Sequence, residues 1–139
     1  MNLLTILSQS PPDSVARLAE SLLPDLGDVR VVFNHTGIAM LPYRDSVKGE
    51  IFHLGEVLIA EARVQCALPG RHPMEGYGAC LGRDTQHALA MALLDVAWRA
   101  EIGTQTIREF VDQQTGVLEQ ADGALRAKVE LTRVEMETF

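Results

Sequence analysis

Aromatic side chains are scarce in this sequence, at 5% of 139 residues, so Leu, Val, Ile, Ala and Met must build the core. Cysteine is scarcer still, with only Cys66 and Cys80. Two cysteines give no disulfide framework of the secreted kind. They read as buried reduced thiols, with a contact across neighbouring strands as the alternative. Positive charge is also short: 12 Lys and Arg stand against 19 Asp and Glu, for a net charge of -7. Such a chain lacks the basic face that displaces counterions from a nucleic-acid backbone, so no nucleic-acid partner is expected. A single anionic small molecule stays within reach, because it needs only a local cluster of donors. Long apolar runs are missing too. Met1–Leu7 is apolar, but it has no basic start and Ser8-Gln9-Ser10-Pro11 follows at once, so neither a signal peptide nor a membrane span is expected. The expected location is the cytoplasm.

What the sequence does have is 47% hydrophobic residues, enough for one domain over residues 1–139 with a core of its own. Residues 2–8 read as a short helix. Ser10 then reads as the N-cap of a second helix with Pro11 just inside it. Val15, Leu18, Ala19, Leu22 and Leu23 recur there at helical spacing, and Pro24 and Gly27-Asp28 end it. A strand is expected at 29–34, a turn at Asn34-His35-Thr36-Gly37, and a second strand at 38–41. A third, at about 56–66, shows the cleanest alternation: Leu58, Ala60, Ala62 and Val64 share one face, and Glu61, Arg63 and Gln65 the other. After the loop Leu68–Pro73 a fourth runs from about Gly76 to Leu81. From Asp84 to Arg99 the pattern is helical and apolar almost all round, so that helix is buried on most sides and its outer face calls for another subunit. Two further helices are expected at about 104–120 and 123–135, the second on Leu125, Val129 and Leu131. The expected fold is α+β: an antiparallel sheet of about four strands covered by N-terminal and C-terminal helices.

The most suggestive local feature is Leu81-Gly82-Arg83-Asp84-Thr85-Gln86-His87, a strand that turns on a glycine into a helix. Asp84 is placed as a structural helix cap. Gly82, Arg83 and His87 form a candidate anion site: a backbone that can approach closely, a planar guanidinium and a histidine in the first helical turn. The alternative is a capped helix with Arg83 in a salt bridge, the Asp84 carboxylate already holding the donors a phosphate would take. Arg71 and His72 would join Arg83 if the last strand brought their loop near. His35, His53 and His72 have no ligand spacing with one another or with the cysteines, so no metal site is expected. Glu56 and Glu61 fall on opposite faces of a regular strand and do not form an acid pair. Asp95, the odd charge in the apolar helix, is expected to pair with Arg99 one turn on, or with an Arg from a neighbouring element. No nucleophile motif, phosphate-binding loop or dinucleotide glycine motif occurs, and no catalytic residue is assigned.

The block Gly76-Tyr77-Gly78 through Gly82-Arg83-Asp84-Thr85-Gln86-His87-Ala88, continuing to Ala92-Leu93-Leu94-Asp95, resembles the PhnG family, a subunit of the bacterial carbon–phosphorus lyase system for phosphonate use. Matches in the same order elsewhere include Leu7-Ser8-Gln9-Ser10 with Ala16-Arg17-Leu18. Gly55-Glu56 with Glu61-Ala62-Arg63-Val64, and Val129 with Thr132-Arg133-Val134-Glu135, complete them. The resemblance departs at the end, where family members continue with a Phe-Phe-Thr-Met-Val-Arg-Gly-like tail in place of Met136–Phe139. A tail contact of the family is therefore expected to be absent or altered here. The resemblance implies a hetero-oligomer with PhnI, PhnH, PhnJ and PhnL-like subunits, with docking on PhnI through the helices. It implies a role in moving a phosphonate onto the ribose C1 of MgATP with release of adenine. It implies no cofactor held by this chain, MgATP being a substrate of the complex, and it assigns this subunit no catalytic residue. Self-association of the isolated chain, or a purely structural adaptor role, also fits the sequence.

Overall fold

The structure, a computed structural model, describes the backbone of residues 2–44 and 51–137 and the side chains of residues 2–40 and 55–124. The elements run α1 (Leu3–Gln9), α2 (Pro12–Leu22), a 3-10 turn (Leu23–Leu26), β1 (Asp28–Arg44), β2 (Ile51–Ala67), β3 (Met74–Leu81), α3 (Thr85–Arg99) and α4 (Thr104–Glu137). Among the described residues the sheet has three antiparallel strands in the order β1-β2-β3.

The alternation expected in β2 holds from Ala60 to Val64, while Leu58 is only half-buried. Ala60, Ala62 and Val64 are fully buried and face α3, which packs across β2 and β3. Small residues let it approach closely. A Cβ on Gly76 would lie 2.3 Å from the Ala92 carbonyl oxygen, and one on Gly78 would lie 2.4 Å from that of Ala88. α1 and α2 close the outside of α3 with Leu7, Val15, Leu18, Ala19 and Leu22, so Met91, Leu94 and Val96 are buried between layers. The other face of the sheet has no helix on it among the described residues.

Three expectations change. The turn at Asn34–Gly37 is strand: these residues pair with Ala62, Glu61, Ala60 and Ile59, so the two predicted strands are one and the sheet has three rather than four. Turn-forming residues are overruled because each meets a cross-strand partner, His35 bonding Glu61 at 2.9 Å. The helices placed at 104–120 and 123–135 are one. Gly123 has nothing within 4 Å, and a lone exposed glycine costs a helix only about 1 kcal/mol. Side chains of its distal part, Leu125, Val129 and Leu131, lie outside the described residues, as do those of His53 and of the Met136–Phe139 tail. Finally, Ser10 ends α1 instead of starting α2. Its buried hydroxyl donates to the Ile6 carbonyl at 2.6 Å, while the Pro11 carbonyl takes the first α2 amides, Ser14 and Val15.

Candidate functional site

The junction from β3 to α3 is built as its sequence suggests. Gly82 turns the chain at φ 102°, a left-handed region natural to glycine. Its N–H donates to the Leu58 carbonyl at 2.9 Å, which fixes the turn at the point where β2 continues beyond β3. Asp84 caps α3, its carboxylate accepting the His87 N–H at 2.9 Å. Arg83, between the two, is exposed. It has no hydrogen-bond or ion-pair partner among the described residues.

His87 turns inward. It is 5% exposed, and its Nε2 lies 2.8 Å from the Leu7 carbonyl oxygen. A carbonyl only accepts, so Nε2 carries the proton and donates. The ring thus ties the end of α1 to the first turn of α3. The structure therefore assembles Gly82, Arg83 and Asp84 at the surface and sends His87 to the core. Arg71 is not brought to them. Its Nη1 donates to the Ala100 carbonyl at 2.6 Å, at the other end of α3. Beside the junction, Gln86 joins Ala16, Ala19, Glu20, Leu23, Leu89, Ala90 and Leu93 in lining an open, largely apolar groove of about 340 Å³ between α2 and α3.

A second polar group stands on the helix-free face of the sheet. Glu61 accepts from the Tyr77 hydroxyl at 2.7 Å and meets His35 Nε2 at 2.9 Å. These contacts, Tyr77 first and His35 next, hold its carboxyl below the ordinary value of 4.5. The bond to Glu61 pushes the Tyr77 phenol up in return, and burial adds to it. Phe33 stacks on His35 with ring centroids 4.9 Å apart, and the Arg63 guanidinium lies over both Phe33 and Tyr77. Sequence reading missed this group because its members come from three strands, one of which was cut at His35. Direct register between residues 33, 63 and 77 was the signal, once β1 is continuous.

Asp95 takes the Arg99 partner expected of it, Arg99 Nη2 lying at 3.1 Å, and also accepts the Tyr77 N–H at 3.0 Å. Cys66 and Cys80 are both free and buried, and they are not opposite each other: Cys66 pairs with Val29 and Met74, and Cys80 with Ala60. Burial raises both thiols above their ordinary value, with the nearby Asp84 charge adding to the effect at Cys80. Among the described residues no three His, Cys, Asp or Glu side chains group as a metal site requires, and no helix is long and apolar enough to cross a membrane.

The family model of the phosphonate metabolism protein PhnG matches residues 1–139. The chain belongs to the PhnG family. Its role therefore lies in phosphonate metabolism. No curated protein matches the sequence.

Proposed function

We propose that this chain is an accessory subunit of the carbon–phosphorus lyase core complex, needed for transfer of a phosphonate to the ribose C1 of MgATP with release of adenine. In that step a phosphonate oxygen forms the bond to C1, and the bond from C1 to the base breaks with its electron pair leaving on adenine. The protein's contribution is to place the anionic phosphonate. The observation that carries this reading is the exposed Arg83, without a partner among the described residues, on a rigid Gly82–Asp84 turn in a chain matched over its full length by the PhnG family. A guanidinium suits a phosphonate because its donors match two oxygens at once. The apolar groove between α2 and α3, which Gln86 of the first α3 turn helps to line, supports docking on PhnI through the helices.

The test is ATP- and phosphonate-dependent adenine release by the reconstituted complex carrying Arg83→Ala. Assembly is expected to be normal and turnover to fall by about tenfold or more. Full turnover in a normally assembled complex removes Arg83 from the reaction. The inward commitment of His87 and the cap made by Asp84 favour a second reading, a structural adaptor that never touches substrate. On that reading Arg83→Ala changes nothing or disturbs assembly alone.

A further inference from the structure

The two edges of the sheet are treated differently. On β3, helix α3 covers the outer backbone groups: Asp95 accepts the Tyr77 N–H at 3.0 Å, and Arg99 donates to the Glu75 carbonyl. β1 is twice as long, at 17 residues, and among the described residues no hydrogen bond reaches its outer edge. Natural sheets protect such an edge with charges, prolines or bulges. Here the bulge at Val32 and the register shift at Leu41/Pro42 bracket a clean stretch, Phe33–Met40, that contains no Lys, Arg, Asp or Glu. Its one titratable side chain, His35, is already held by Glu61. Ile38 and Met40 are 67% and 52% exposed.

The outer end of the same stretch, Ile38–Met40, is short of strands. β3 pairs with β2 only from Ile59 to Cys66, so from Ile38↔Leu58 outward β1 and β2 form a two-stranded ribbon. Such ribbons are marginal in water by themselves and become stable with further strands.

We propose that two copies of this chain join edge to edge through antiparallel pairing of β1 over Phe33–Met40, making one continuous sheet across a two-fold axis. A two-fold lays the same segment against itself, so the occupant has to be self-complementary. Two chains of net charge -7 repel over most approaches, but this segment meets its copy without setting like charges opposite one another. Pairing sets the copy's β1, backed by its β2 and β3, beside the Ile38–Met40 end of each ribbon and engages the β1 edge. The inference is independent of the phosphonate reading, since Arg83 plays no part in it.

The experiment measures the mass of the isolated chain by size exclusion with light scattering across a concentration series. The expected result is twice 15.2 kDa. Ile38→Lys places like charges near the two-fold and is expected to raise the dimer Kd by about tenfold or more, with an unchanged circular dichroism spectrum. Mixing Ile38→Lys with Ile38→Glu is expected to restore the double mass, which a merely misfolded variant cannot do. The proposal is overturned by a wild-type mass of one chain at every concentration. It is also overturned by a dimer that survives Ile38→Lys but is split by Leu23→Lys in the α2–α3 groove.

Discussion

The two halves of β2 have very different surroundings. From Ile59 to Cys66 the strand lies between β1 and β3, with α3 pressed on one face by way of Gly76, Gly78, Ala60 and Ala62. From Ile51 to Leu58 it pairs, among the described residues, with β1 alone. In the covered half, stability comes from close approach, and a single added carbon has nowhere to go. In the projecting half the backbone is still strand, with no third strand beside it among the described residues. Regular strand is therefore no measure of local stability; the number of layers is.

Changes chosen from the two halves sharpen that contrast. Gly78→Ala comes first, because its Cβ would sit 2.4 Å from the Ala88 oxygen and 2.6 Å from Met91 Cβ. Denaturant unfolding is expected to show a loss of about 3 kcal/mol; a loss under 1 kcal/mol would mean that α3 can shift away. Next, His87→Ala leaves the Leu7 carbonyl without its buried donor and is expected to lose about 2 kcal/mol. Proteolysis should then cut near α1 sooner. Asp84→Ala removes the α3 cap for about 1 kcal/mol, readable as a lower thermal midpoint.

Tyr77→Phe is smaller and depends on pH. Because the folded-state value of Glu61 is depressed, its ionised form stabilises the fold above the unfolded value, and that contribution is lost as pH falls through the folded value. Tyr77 is the largest cause of the depression, so the variant should be weaker than wild type at neutral pH. That gap should narrow on acidification below the ordinary 4.5. A gap constant with pH would assign the effect to packing instead. Smallest of all, Gly37→Ala lies at the start of the ribbon with nothing within 4 Å and should change stability by no more than about 0.5 kcal/mol.

Sequence reading was most successful where local signals and tertiary packing agreed. The α3 helix, its Asp84 cap, the buried face of β2 and the Asp95–Arg99 pair were all legible, because periodicity and near-neighbour spacing determine them. It failed where a distant partner decides. Asn34–Gly37 carries turn residues, yet β2 holds it as strand. Ser10 has the right identity for an N-cap but finds its acceptor backwards, at Ile6. His87 sits where a ligand donor would, and the carbonyl that claims it is 80 positions away. Gly76 and Gly78 belong to the block that resembles the family, and paired glycines inside a strand also signal close approach by another backbone. Of the candidate anion site Gly82, Arg83 and His87, the first two lie side by side on the turn because they are contiguous, while His87 is turned inward to Leu7.

The bond from His87 to Leu7 also sets an order on the making of the protein. Helix α1 is synthesised well before its anchor, which follows 80 residues later. In that interval Ile6 and Leu7, which the finished protein buries, have no α3 to rest on. A product ended before α3 thus displays the α1 segment as loose apolar chain, open to the proteases and chaperones that sort incomplete proteins. Docking of α1 therefore reports that synthesis has passed the Gly82 turn.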